Sequence, residues 1–78
     1  MNLSEALGVV VRERRLAMGL SQGDLAIATG LHKNFIGLVE RGKTAAAIDS
    51  VEVIATALKC RASQLLAAAE RTRSAADG

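Results

Sequence analysis

Most reactive chemistries lack their parts in this 78-residue chain. No Ser, His and Asp gather at a spacing suited to nucleophilic catalysis, no carboxylates pair, and no glycine-rich loop is built to cradle phosphate. His32 is the only histidine and Cys60 the only cysteine, too few for a metal site or a disulfide framework, so neither metal nor cofactor is expected. Cys60 reads instead as a buried core thiol. What remains is hydrogen-bond donor chemistry, crowded between Gln22 and Lys43. A lysine such as Lys33 can donate to guanine O6 and N7, and an asparagine such as Asn34 can pair with both N6 and N7 of adenine. An apolar side chain such as Leu38 can meet a thymine methyl. Arg41 and Lys43 follow in a glycine-containing loop where both suit backbone phosphates.

These groups need a helix to hold them, and the apolar residues recur at helical spacing throughout. The periodicity predicts a first helix over 3–18, with Leu3, Leu7, Val10, Val11 and Met18 on or near one face, Ser4 as its cap and Gly19 as its stop. Ser21 followed by Asp24 marks a second start, because serine can accept from the Asp24 N–H while the carboxylate favours the positive helix end. Gly23 weakens that first turn by about 1 kcal/mol against alanine. Thr29-Gly30 ends the second helix. A third fits 32–40, a fourth 47–58 and a fifth begins at Arg61 or Ala62, burying Leu65, Leu66 and Ala69. Beyond Glu70 the apolar period is lost, which divides the chain into a domain over 1–70 and a flexible tail over 71–78. The fold class is all-α, with five short helices.

Within this frame, Gln22 to Arg41 has the parts of a helix-turn-helix. Gly30 suits a turn at positive φ, Ala26 is small enough for a close crossing, and Leu25, Leu31, Ile36 and Val39 are spaced to fill the junction. Such a unit sets its second helix into a DNA major groove. Lys33, Asn34, Phe35, Gly37 and Leu38 then fall on the outer face, opposite Ile36 and Val39, as candidate base contacts. Phe35 either lids the turn or touches DNA sugar and methyl groups. Gly37 either permits close approach to DNA or merely weakens the helix. His32 either meets a phosphate or helps cap the third helix, and Arg12 and Arg14 stand where flanking phosphates could lie.

Composition sets outer limits on this reading. Half the chain is hydrophobic, and ten basic residues against eight acidic leave a net charge of only +2. A chain of this size makes one domain that buries roughly 60% of its unfolded surface. No apolar run nears the ~20 residues needed to span a bilayer, and no secretory leader is evident, so a cytoplasmic protein without a membrane partner is expected.

The stretches Arg14-Arg15-Leu16-Ala17-Met18-Gly19-Leu20-Ser21-Gln22 and Leu31-His32-Lys33-Asn34-Phe35-Ile36-Gly37-Leu38-Val39-Glu40-Arg41-Gly42-Lys43 resemble the Cro/C1-type (XRE-family) helix-turn-helix regulators. Among these they look most like the small controller proteins of restriction–modification systems. The resemblance spans residues 7–66. It implies a five-helix, lambda-repressor-like domain whose second and third helices form the motif. It also implies base reading by Lys33, Asn34 and Leu38, phosphate binding by Gln22 and a partly buried Arg15–Glu40 salt bridge that fixes the third helix. The chain departs from the family at Thr44-Ala45-Ala46-Ala47, where many members have a proline and a capping serine. The fourth helix is therefore expected to start early or to be weakly capped.

One recognition helix reads too few base pairs to single out a genomic site, since a single module buries only ~600–1,000 Å². A two-fold dimer places two such helices ~34 Å apart on an inverted repeat. A homodimer through Ile48, Val51, Leu65 and Leu66 is therefore expected, as is an operator-bound, autoregulatory role with no small-molecule ligand. The alternatives are a phage-type repressor, an antitoxin-like autorepressor or a protein-binding helix-turn-helix module.

Overall fold

Asn2 and Glu5 open the first helix by reciprocal capping. The Glu5 N–H donates to Asn2 Oδ1 at 2.8 Å, and the Asn2 N–H donates to Glu5 Oε1 at 2.8 Å. This pairing moves the cap from Ser4 to Asn2, because the carboxylate that completes the box stands three residues after Asn2. The computed structural model describes residues 1–78 and contains five helices. They are α1 (Leu3–Ala17), α2 (Gln22–Thr29), α3 (Lys33–Glu40), α4 (Ile48–Ala57) and α5 (Ala62–Asp77).

Ser21 and Asp24 form the same kind of box at the start of α2, with both bonds at 2.9 Å. Gly30 closes α2 at φ 71°. The caps of α3 and α4 are weaker: neither His32 nor Ala47 makes a side-chain capping bond. His32 therefore occupies the N-cap position without its side chain contributing a bond, and α4 is weakly capped as expected, starting at Ile48.

Two expectations about the ends of the core change. Met18 is exposed at the end of α1, and Ala6 takes its place on the buried face. Helix α5 also does not stop at Glu70 but runs to Asp77. Loss of the apolar period there marks the end of burial rather than of the helix, because alanine and arginine keep helix propensity high without a core. Asp77 also accepts from the N-terminal ammonium at 3.0 Å, which ties the two chain ends together.

Fourteen buried apolar residues, drawn from all five helices, make one core. Leu25, Ile36, Ile54 and Leu65 are its largest fully buried side chains. Helix α1 packs along α5 and crosses α3, while α2 bridges α3 and α4. The α1–α3 crossing is unusually close. A Cβ added at Gly8 would sit 2.3 Å from the Val39 carbonyl oxygen, and one at Gly42 would sit 2.8 Å from Glu5 Cγ. Glycine at both places lets α1 seat α3. Neither role was legible in the sequence, where Gly8 is only a helix-weakening residue.

Candidate nucleic-acid interface

Helix α3 has two unlike faces. Its inner face is locked by Ile36 and Val39 in the core and by Glu40, whose side chain is only 2% exposed. Arg15 Nε donates to Glu40 Oε2 at 2.6 Å and Nη2 to Oε1 at 2.9 Å, while Nη1 donates to the Leu20 carbonyl at 2.8 Å. The hydrogen bond to Glu40 raises the Arg15 pKa above the ordinary guanidinium value, against the opposing effect of burial. Such a bidentate pair fixes orientation as well as charge. It ties α1 to α3 and, through Leu20, to the start of the motif.

Gln22 joins this network, with Nε2 donating to Glu40 Oε1 at 3.1 Å. Its amide is therefore partly engaged inside the protein, although the same nitrogen carries a second hydrogen and the oxygen two lone pairs.

The outer face is open. Gln22, Lys33, Asn34, Gly37, Leu38 and Arg41 line one shallow cavity of about 340 Å³. Lys33, Asn34 and Arg41 are exposed, and Leu38 shows 39% of its surface. Lys33, Arg41 and Lys43 form no salt bridge, since the molecule's two ion pairs are Met1–Asp77 and Arg15–Glu40. Uncompensated donors thus face solvent around an apolar side chain on one wall.

Several expected site residues sit elsewhere. Phe35 is half-buried against the core, so it packs as a lid and does not line the cavity. Gly37 is buried beneath the Arg41 guanidinium and offers no side chain to a base. Arg41 is the C-cap of α3 and reaches back into the cavity rather than standing in the following loop. Lys43 lies beyond the turn, exposed, with its N–H held by the Leu38 carbonyl at 2.9 Å. His32 and Arg12 are exposed outside the cavity lining.

The four residues assigned to a dimer surface divide. Val51 and Leu65 are 3% and 0% exposed and belong to the core of the single chain. Ile48 is 66% exposed and Leu66 half-buried. Both line an apolar groove of about 190 Å³ with Leu3, Leu7, Ala46 and the otherwise buried Val51, so of the four only Leu65 has no part in it. Helical spacing cannot separate a face turned to the core from one turned to a partner, which is why Leu65 and Leu66 looked alike. Cys60 is half-buried rather than fully enclosed. No helix is long and apolar enough to cross a membrane.

A helix-turn-helix family model matches residues 11–65. The chain belongs to this helix-turn-helix family. Among curated proteins, it is similar to the control protein C.SmaI of Serratia marcescens, at 36% identity over 66 residues, 85% of this chain and 79% of that protein. Among solved structures, the restriction–modification controller C.AhdI from Aeromonas hydrophila matches with a TM-score of 0.77 and 37% identity, covering 80% of this chain and 94% of that one. The controller C.Esp1396I, solved as a tetramer with its natural 35 base-pair operator, matches with a TM-score of 0.82 and 25% identity, covering 92% of this chain and 95% of that one. The matched region contains the whole of α2 and α3.

Proposed function

We propose that this protein is a sequence-specific, double-stranded-DNA-binding transcriptional regulator that controls restriction–modification genes, its own included, as a homodimer on an inverted-repeat operator. The observation that carries this reading is the outer face of α3, where uncompensated Lys33 and Arg41 flank Asn34 and Leu38 on a helix held by a buried ion pair. Helix-turn-helix membership supports it, and likeness to C.SmaI and C.AhdI supports the controller assignment.

In this reading α3 enters the major groove. Lys33 donates to guanine, Asn34 pairs with adenine and Leu38 meets a thymine methyl. Lys43, together with Arg12, His32 and the remaining amide hydrogen of Gln22, holds flanking phosphates and fixes register. Two protomers meet across the groove lined by Leu3, Ile48 and Leu66, which sets the paired α3 helices one DNA turn apart. Occupancy then follows protein concentration through dimerisation. The protein acts by binding, without catalysis, in the cytoplasm where its DNA lies.

Selection of bound DNA from a random pool tests the reading. The expected product is an inverted repeat with half-sites about one helical turn apart, bound with an affinity that falls by orders of magnitude as salt rises. A pool that emerges without consensus would overturn it. Sedimentation showing monomer both free and on the selected DNA would overturn the dimer.

A further inference from the structure

The position of Arg41 gives it a different role from the one its place in the sequence suggests. Following the last residue of α3, it would ordinarily extend past the helix toward a DNA strand. Helical side chains, however, lean toward the N-terminus and cover the turn before their own Cα. For Arg41 that turn begins at Gly37, and its N–H donates to the Gly37 carbonyl at 3.1 Å. With no side chain at Gly37, the guanidinium lies flat against the helix. A Cβ placed there would come within 3.0 Å of Nη1 and 3.6 Å of both Cζ and Nη2.

The guanidinium consequently enters the same cavity wall as Lys33, Asn34 and Leu38. It is also uncommitted. The adjacent Glu40 is turned inward and held by Arg15 and Gln22, and Arg41 makes no ion pair or side-chain hydrogen bond. Five donors in a rigid fork are therefore free and aimed across the outer face of the helix. An eight-residue helix spans about 12 Å, comparable to the width of the major groove, so both ends of α3 can reach base edges.

We infer that Arg41 reads a base pair, by bidentate donation to guanine O6 and N7, and that Gly37 is the positioning residue that makes this possible. The inference rests on the DNA-binding reading above and adds a fourth reading position to it. Gly37 then determines specificity through a side chain it lacks: any larger residue lifts the guanidinium off the helix and out of the groove-facing plane.

The test compares wild type, Arg41→Ala, Arg41→Lys, Gly37→Ala and the Gly37→Ala/Arg41→Ala double variant. Affinity is measured against the selected operator and every single-base-pair change in one half-site, with thermal midpoints alongside. Arg41→Ala should lose about 5- to 150-fold discrimination at one base pair and leave selectivity at the others intact. Arg41→Lys should lose most of the same preference, because a point charge cannot make the bidentate fork. Gly37→Ala should relax that same base pair without lowering the thermal midpoint, and should raise it if anything, since its methyl meets only a flexible side-chain end and alanine favours the helix. The double variant should be no less selective than Arg41→Ala alone.

Uniform weakening of Arg41→Ala across all sequences, with a salt slope reduced by about one, would make Arg41 a phosphate contact and overturn the inference while leaving the DNA-binding reading in place. Gly37→Ala with full selectivity would remove the positioning role. A wild-type protein without base-pair selectivity would overturn both readings together.

Discussion

The inner and outer faces of α3 are made from alternating positions of one eight-residue helix, yet they answer to opposite demands. On the inner face every polar atom has its partner: Glu40 is shared between Arg15 and Gln22, and no buried side-chain polar atom in the molecule is left unpaired. On the outer face Lys33, Asn34 and Arg41 make no side-chain hydrogen bond. A recognition surface needs donors that are free before the partner arrives, and it can leave them free only if its helix is fixed from behind. The difference teaches that stability and specificity in this domain should be separable by substitution.

The comparison is most severely tested at Glu40. Replacing it with alanine strands a buried guanidinium and should destabilise the domain by about 3–5 kcal/mol, read as a lower denaturant midpoint. An unchanged midpoint would mean that the inner face is not fixed by this pair. Gly8→Ala comes next. Its methyl would meet the Val39 backbone carbonyl, which cannot swing aside, and should cost about 1–3 kcal/mol. DNA affinity should fall only as far as the folded population does.

The outer face should behave in the opposite way. Lys33→Ala and Asn34→Ala should change stability by no more than about 0.5 kcal/mol. Each should nevertheless relax discrimination at its own base position by about 1–3 kcal/mol in operator competition. If either variant unfolds the protein, or if both leave operator selectivity intact, the division between the faces fails.

Two smaller effects lie away from α3. Lys59 is the one non-glycine residue at positive φ, 63°, where the chain turns out of α4. Its N–H bonds to the Thr56 carbonyl and the Cys60 N–H to the Ala55 carbonyl, the paired closure that glycine completes after α1 and α3. Lys59→Gly should therefore stabilise by up to about 1 kcal/mol in thermal melts, without altering DNA binding. The last effect is a pH dependence. The Ser21 N–H, and then its hydroxyl, hold the Asp24 carboxyl below the usual carboxylate range. A depressed folded-state value means that this contribution is complete above the ordinary carboxylate pKa and is lost as pH falls through the folded one. Asp24→Asn should therefore lower stability slightly at neutral pH, where the contribution is complete, and flatten the acid limb so that variant and wild type converge at low pH.

Much of this molecule was legible before its structure. Ser21 and Asp24, Gly30, and the apolar residues Leu25, Ile36 and Val39 located the motif because capping, positive φ and helical periodicity are local properties. The Arg15–Glu40 pair came through family likeness, since a separation of 25 positions leaves no local signal of a contact. The cap at Asn2 was hidden by Ser4, an equally good capping residue two positions later, and the extent of α5 by equating burial with helix. Gly8 and Gly42 could not be read at all. Their importance lies in what a missing Cβ would strike on another helix.

The sequence by itself determined which residues form helices, where the motif turns and which chemical groups occupy its outer face, because backbone conformation and side-chain type are written locally. Only the tertiary structure decided where those groups point. It sent Phe35 and Leu65 inward, left Ile48 outside, and folded Arg41 back over Gly37. The physical reason is that a helical period defines a face but not its neighbour. What meets that face, whether core, solvent, another side chain or DNA, is fixed only when the helices are packed together.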